Sequence, residues 1–330
     1  MNLALLGAGR IGQVHGANIA RHPAARLHVV VDVDPARAAA LAKDYGAEVA
    51  PDAEAAVADP AVRGVVICTS TDTHVEMIEL AASHGKPIFC EKPIDLDLGK
   101  VVRCLDRVRE ARVPLLIGFN RRFDPHFASL KRALDAGEIG RLEVLRITSR
   151  DPTPPPPEYV KVSGGIFRDM MIHDLDMARF LLGEEPVSVY ATGSCLVDPA
   201  IEAAGDVDTA VVVLRTASGT ICTIDNSRRA VYGYDQRVEA FGEKGMITAG
   251  NPSPTTLVRS TADAVTMDKP PYFFLERYDE AYRAELDHFI EVMEGTSPPA
   301  ITGDDGKRAL VLADGAARSL AEGRPVTIEA

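Results

Sequence analysis

The segment IFRDMMIHDLDMARFLL, residues 166–182, sets Asp169, His173, Asp174 and Asp176 into a run whose Phe167, Met170, Met171, Ile172, Leu175, Met177, Phe180, Leu181 and Leu182 suit a buried helix. Asp169 and His173 stand four positions apart. On a helix that spacing puts them on one face about a turn apart, where both reach a ligand lying over that face. Asp174 and Asp176 read as acids solvated on the opposite face, with Asp174 alternatively orienting His173 from behind. A second candidate is Lys92, between Glu91 and Pro93 directly after the apolar PIFC. A lysine held at the carboxyl end of a strand can donate to an oxygen whose charge changes during reaction. The plainer alternative is a solvated loop lysine.

A third set of residues points to a cofactor. Gly7-Ala8-Gly9-Arg10-Ile11-Gly12 is a G-x-G-x-x-G between a short apolar strand and a helical pattern. The first glycine permits a tight turn, the second lets a pyrophosphate approach the backbone, and the third lets helix and strand pack closely. The helix N-terminus then faces the phosphates. Asp32 ends the next apolar run 32 − 12 = 20 residues after Gly12, the distance at which an acid bonds the adenosine ribose. An acid there accepts from both ribose hydroxyls and repels a 2′-phosphate, so NAD is favoured over NADP, although Arg37 keeps NADP open. Thr69, Ser70 and Thr71 follow another apolar run and belong at the same sheet edge. His74, just beyond, reads either as a cofactor contact or as a structural histidine.

These residues need elements to position them. RLHVVVDVD, VRGVVICTS, PIFCEKP and PLLIGFN are apolar strands that alternate with helical patterns such as PARAAALAKDYG and DLGKVVRCLDRVREAR. Strand, helix, strand at this rhythm predicts an α/β Rossmann domain with a doubly wound parallel sheet over residues 1–119. From residue 120 to 330 the pattern changes. Helices over 124–136 and 168–182 precede strand-like runs joined by short turns, RLEVLRITSR through TTLVRSTADAVTMD. That segment predicts an α+β domain with a large, mostly antiparallel sheet. Two helical patterns, YDEAYRAELDHFIEVMEG and GDDGKRALVLADGAARSLAEG, close it. PTPPPPEYV reads as an extended loop, either a linker or a site lining.

Composition narrows the partners. A net charge of −12 over 330 residues argues against a phosphate-backbone binder. No apolar run approaches the ~18 residues of a membrane span, and MNLALLGAGRIG lacks the basic start of a secretory leader. The five cysteines form no paired motif, which suits reduced thiols and the cytoplasm. His173-x-x-Asp176 lacks the further ligands of a zinc site, so no metal is expected.

GAGRIGQVH, STDTHVEMIELAASHGKPIFCEKPI, GFNRRFDP and SGGIFRDMMIHDLDMARFLLGEEP together resemble the Gfo/Idh/MocA oxidoreductases, over nearly the whole chain. TSRDP and DNSRRAVYGYDQRVEAFG resemble its inositol dehydrogenase branch. The resemblance implies a catalytic group of Lys92, Asp169 and His173. His173 would accept the proton of a polyol hydroxyl while the carbon gives hydride to nicotinamide, and Asp169 would bond a neighbouring hydroxyl. It also implies cofactor contacts from Glu91, Lys92 and Asn120, with Asn120 near the nicotinamide or substrate. Tyr234 is a substrate contact or else a core or interface tyrosine. The implied reaction is oxidation of myo-inositol to scyllo-inosose by a homotetramer in inositol catabolism. The alternatives are scyllo- or chiro-inositol, an aldose, or a non-catalytic NAD-responsive regulator.

Overall fold

Six short strands open the chain: β1 (Asn2–Leu6), β2 (Arg26–Val31), β3 (Glu48–Val49), β4 (Gly64–Ile67), β5 (Ile88–Glu91) and β6 (Leu115–Gly118). In the computed structural model, which describes residues 1–329, they form one sheet in the order β3-β2-β1-β4-β5-β6 with every pair parallel. Every residue of β4, β5 and β6 is buried, because helices cover both faces of a parallel sheet. The strand order reverses beside β1. Ligands of such folds bind at that crevice, outside the carboxyl ends of the strands. Local signals set the helices: Asp34 caps Pro35–Tyr45 by accepting from the Ala36 N–H at 3.0 Å, and Gly46 ends it at φ 66°.

The contacts divide the chain into two units. One is Met1–Phe123 with Ala281–Leu310; the other is Asp124–Glu280 with the chain from Val311 onward. Residues 281–310, which periodicity alone leaves at the end of the second segment, are thus grouped with the first. Their apolar face explains it. Phe289 is fully buried with its ring 5.9 Å from that of Phe89, and Tyr282 meets the His15 ring edge-on at 5.7 Å.

The second unit is built on a seven-stranded sheet, six of whose strands are β7 (Leu142–Arg150), β8 (Pro186–Ser194), β9 (Thr209–Thr216), β10 (Ile221–Ser227), β11 (Asp235–Gly242) and β12 (Gly245–Ala249). A pair β13 (Val258–Ser260) and β14 (Val265–Met267) and a final β15 (Val326–Thr327) complete the strands. The order is β12-β11-β7-β10-β9-β8-β15, antiparallel throughout except for β7 with β10. One face is buried: Ala210, Val212 and Leu214 of β9 and Cys222, Ile224 and Asn226 of β10 point inward at alternate positions.

Three local expectations are corrected. TTLVRSTADAVTMD does not join the sheet; β13 and β14 pair only with each other and are exposed throughout, with Val258, Val265 and Met267 on one uncovered face. The proline run stays a loop only through Pro156, because Pro157 opens a helix, Pro157–Ser163, in the first turn where its missing N–H costs nothing. The run 166–182 is not one regular helix. Gly164 (φ 86°) and Gly165 (φ 77°) lead into a π-helical turn, Ile166–Met170, closed by the Met171 N–H to the Ile166 carbonyl at 2.8 Å, and an α-helix then runs Ile172–Leu182.

Phe289→Ala removes the ring that buries 281–310 on the first unit. The expected loss is about 3 kcal/mol or more in urea unfolding of the full chain, and a variant within about 0.5 kcal/mol of the parent would contradict this packing.

Candidate active site

In the first unit the turn after β1 is closed by backbone. A β-carbon at Gly12 would stand 2.0 Å from the Gly7 carbonyl oxygen, and one at Gly7 (φ +97°) 2.4 Å from that of Cys68. Gly9 differs: no described atom lies within 4 Å of its β-carbon position, so space is kept there for a ligand to reach the backbone. Gly9 precedes the helix Arg10–Arg21 and, having no side chain, provides no side-chain cap to the first turn that begins at Arg10 and Ile11. Asp32 anchors this turn. Its Oδ2 accepts from the Ala8 N–H at 2.6 Å and its Oδ1 from the Asp34 N–H at 2.8 Å, leaving lone pairs for a diol. These donors and this acceptor fit the pyrophosphate and adenosine ribose of NAD.

Thr69, Ser70 and Thr71 follow β4, as expected, with the Thr73 hydroxyl donating to Thr69 Oγ1 at 2.8 Å. His74 is 2% exposed. Its Nδ1 lies 2.7 Å from the Pro93 carbonyl oxygen and its Nε2 3.1 Å from that of Thr69, so the ring ties the turn after β4 to the cis Lys92–Pro93 peptide after β5. Burial holds its pKa below the ordinary histidine value, against the pull of those two carbonyls. Lys92 is half-buried. Glu91 is buried and its Oε1 lies 2.7 Å from His15 Nε2. Asn120 is 2% exposed, and its amide nitrogen has no hydrogen-bond partner among the described residues, which suits a donor kept for a ligand.

Behind Glu91 lies Glu285, fully buried, with neither carboxyl oxygen bonded among the described residues. Burial, and then the charge of Glu91, push its pKa well above the ordinary carboxylate value.

In the second unit Asp169 lies in the π-helical turn, and His173 in the first turn of the helix that follows, half-buried between the fully buried Ile172 and Asp174. Asp169 Oδ1 accepts from the Tyr159 hydroxyl at 2.9 Å, and its Oδ2 lies 3.4 Å from Nη1 and Nη2 of Arg228. Asp174 and Asp176 are not solvated. They are 0% and 1% exposed, because Asp174 accepts from Asn226 Nδ2 at 3.0 Å and Asp176 lies 3.7 Å from Arg179. Tyr234 is buried, its ring edge-on to Tyr278 at 5.9 Å.

Residues 1–119 match the family model for an oxidoreductase family with an NAD-binding Rossmann fold, and residues 127–248 match the Gfo/Idh/MocA C-terminal domain. The chain belongs to the Gfo/Idh/MocA oxidoreductase family. Among its relatives, an inositol 2-dehydrogenase of Rhizobium meliloti is 53% identical, over 99% of each chain. A myo-inositol 2-dehydrogenase of Thermotoga maritima is 49% identical, over 100% of this chain and 99% of its own. Two solved structures from Lactobacillus casei carry ligands. A scyllo-inositol dehydrogenase with bound NAD(H) and scyllo-inositol superposes with a TM-score of 0.93 at 28% identity, covering 99% of each chain. A myo-inositol dehydrogenase with NAD(H) and myo-inositol does so at 0.90 and 26%, covering 100% of this chain and 97% of its own.

Within this Gfo/Idh/MocA chain, sequence reasoning missed His15 and Glu285 behind Glu91, and Tyr159, Asn226 and Arg228 beneath the Asp169–His173 segment. His15 and Glu91 are 76 positions apart, and no local spacing announces such a contact. Tyr159 lies inside the proline run, which thereby lines the second unit's candidate site. Among the described residues no group of three or more His, Cys, Asp or Glu side chains is placed to hold a metal. No helix of the described residues is long and apolar enough to cross a membrane.

Glu285 makes the stability of the fold depend on pH. A carboxyl with a raised folded pKa binds more protons folded than unfolded, so stability falls as pH climbs above the ordinary carboxylate range. Glu285→Gln removes that titration. Its urea midpoint should gain on the parent's as pH rises from about 5 to about 8; a difference constant across that range would show that Glu285 is not held neutral.

Proposed function

We propose that this protein catalyses the NAD-dependent oxidation of an inositol ring hydroxyl to the ketone, with myo-inositol giving scyllo-inosose as the first choice of substrate and product. The observation that carries this reading is the 53% identity to an inositol 2-dehydrogenase over 99% of each chain, in a sequence with Lys92, Asp169 and His173 at the motif positions. NAD, when bound, accepts the hydrogen and electron pair of the carbinol C–H. The chain's own residues do the rest. His173 takes the hydroxyl proton as general base. The Lys92 ammonium donates to the oxygen as it becomes a carbonyl, and Asp169 accepts from a neighbouring hydroxyl, fixing the ring. The net reaction is carbinol plus NAD to ketone, NADH and one proton.

Gly7, Gly9, Arg10, Ile11, Gly12 and Asp32 hold the phosphates and adenosine, and Thr69, Ser70 and Thr71 flank the cofactor. His74 and Glu91 serve it from behind, through Thr69 and Lys92. Asn120 donates on the nicotinamide or substrate side, and Tyr234 walls the substrate region.

The five free cysteines, four of them buried, support a reducing compartment, and we place the protein in the cytoplasm, in inositol catabolism. We further assign it a homotetramer. Register puts Tyr190, Val211, Ile221, Phe241 and Met246 on one face of the seven-stranded sheet, each between 39% and 55% exposed, and a second copy would cover that face.

A second reading keeps the chemistry and changes the polyol. Relatives bound to scyllo-inositol and to myo-inositol share this fold almost equally, so side chains rather than fold choose the isomer. The deciding assay follows NADH with myo-, scyllo- and chiro-inositol and glucose. We expect myo-inositol to turn over fastest with NAD preferred to NADP, and Lys92→Ala and His173→Ala each to lower kcat about 10²–10⁴-fold. A faster aldose or other inositol would replace the substrate, and absence of NADH with every polyol would leave the regulator.

A further inference from the structure

β10 delivers alternate side chains under the Asp169–His173 segment. Cys222, Ile224 and Asn226 face inward, and Arg228, two residues on, continues that row at 2% exposure. Two of these inward groups reach the motif: Asn226 bonds Asp174, next to His173, and the Arg228 guanidinium faces Asp169 at 3.4 Å. A loop residue brackets the same turn at its start. Asp206 Oδ1 accepts from the Ile166 N–H at 3.2 Å. The Arg228 backbone is fixed in turn by its N–H to the Asp208 carbonyl at 2.9 Å.

The guanidinium stands between two carboxylates, with Asp206 Oδ2 at 3.9 Å and Asp169 nearer. Burial raises the Asp206 pKa, and the charge of Asp169 adds to that, against the Ile166 and Val207 N–H groups and Arg228. Arg228 is therefore committed chiefly to Asp169. A buried guanidinium is costly unless paired, and it keeps a fixed planar fork, so it sets the direction of the carboxylate it faces. On the other side Tyr159 donates to Asp169 Oδ1, so both oxygens are oriented before any hydroxyl arrives.

We infer that Arg228 is a positioning residue for the oxidation: from the end of β10 it aims the Asp169 carboxylate and holds the turn that leads into His173. This assignment rests on the proposed function and deepens it. Arg228 touches neither substrate nor cofactor in this role; it acts through Asp169. The residue is distinguishable from general scaffolding because its effect should vanish when Asp169 is gone.

The experiment is a double-mutant cycle on the full-length protein with NAD and myo-inositol. Arg228→Met, close in volume, should lower kcat/KM for myo-inositol about 10–100-fold, the range for a lost hydrogen bond to a charged group, with KM for NAD unchanged within about twofold. Arg228→Lys, which keeps the charge and loses the fork, should fall between. In the Asp169→Asn background, adding Arg228→Met should change turnover by less than about twofold. Undiminished kcat/KM in folded R228M, or effects of the two substitutions that multiply, overturns the assignment. If R228M does not fold, R228K decides: kcat/KM equal to wild type overturns it, and a loss confined to the polyol supports it. A wild-type protein inert toward every polyol, or a fully active D169N, instead overturns the functional reading on which the assignment stands.

Discussion

Everything in the first unit that can hold a dinucleotide depends on backbone meeting backbone at Gly12, where a β-carbon would fall 2.0 Å from the Gly7 carbonyl oxygen. That approach lets the helix Arg10–Arg21 begin directly over the end of β1, with its first N–H groups at the crevice. From there the constraint passes along a short chain of contacts. Gly7 presses on the Cys68 carbonyl, Cys68 leads to Thr69, and the Thr69 carbonyl meets one nitrogen of His74 while the Pro93 carbonyl meets the other. The phosphate turn and Lys92 are thus positioned by the same backbone, and a shift at either end is felt at the other.

The second unit solves its problem with side chains instead. The π-helical turn at Ile166–Met170 displaces one round of helical bonding, and such a turn persists only where its surroundings hold it. Here Asp206 holds its entry, Arg228 and Tyr159 hold Asp169, and Asn226 holds Asp174. A buried acid without these ties would be neutral or would leave the core. His173 keeps partial exposure in the midst of residues that have none.

Sequence reading reached the parts of this arrangement that are local. The glycine spacing, Asp32 at the end of β2 and the alternation of strand and helix are statements about neighbours, and neighbours follow from spacing. The four-residue separation of Asp169 and His173 predicts one helix face, whereas the structure divides the pair between a π turn and the α-helix that follows. Periodicity failed where a contact spans the chain. Asn226 and Arg228 meet their acids across 52 and 59 positions, and nothing in a local window says that they do. Without Asn226 in view, Asp174 reads as solvated or as orienting His173, while Asp176 is kept from solvent beside Arg179, only three positions on. The amphipathic pattern of 281–294 likewise announced a face to be buried, not the surface that would bury it.

A polyol offers many hydroxyls and no charge, so its stereochemistry must be read by acceptors and donors whose directions are fixed before it arrives. A freely rotating carboxylate would accept from an axial or an equatorial hydroxyl with nearly equal ease. One clamped by a guanidinium fork and a phenol cannot, because its remaining lone pairs point along set lines. The cofactor half, made chiefly of backbone, is indifferent to such detail and can serve a whole family. On the proposed function, in which Asp169 accepts from a ring hydroxyl, discrimination between isomers belongs to the side chains beneath and around it, and relatives solved with scyllo-inositol and with myo-inositol share this one fold.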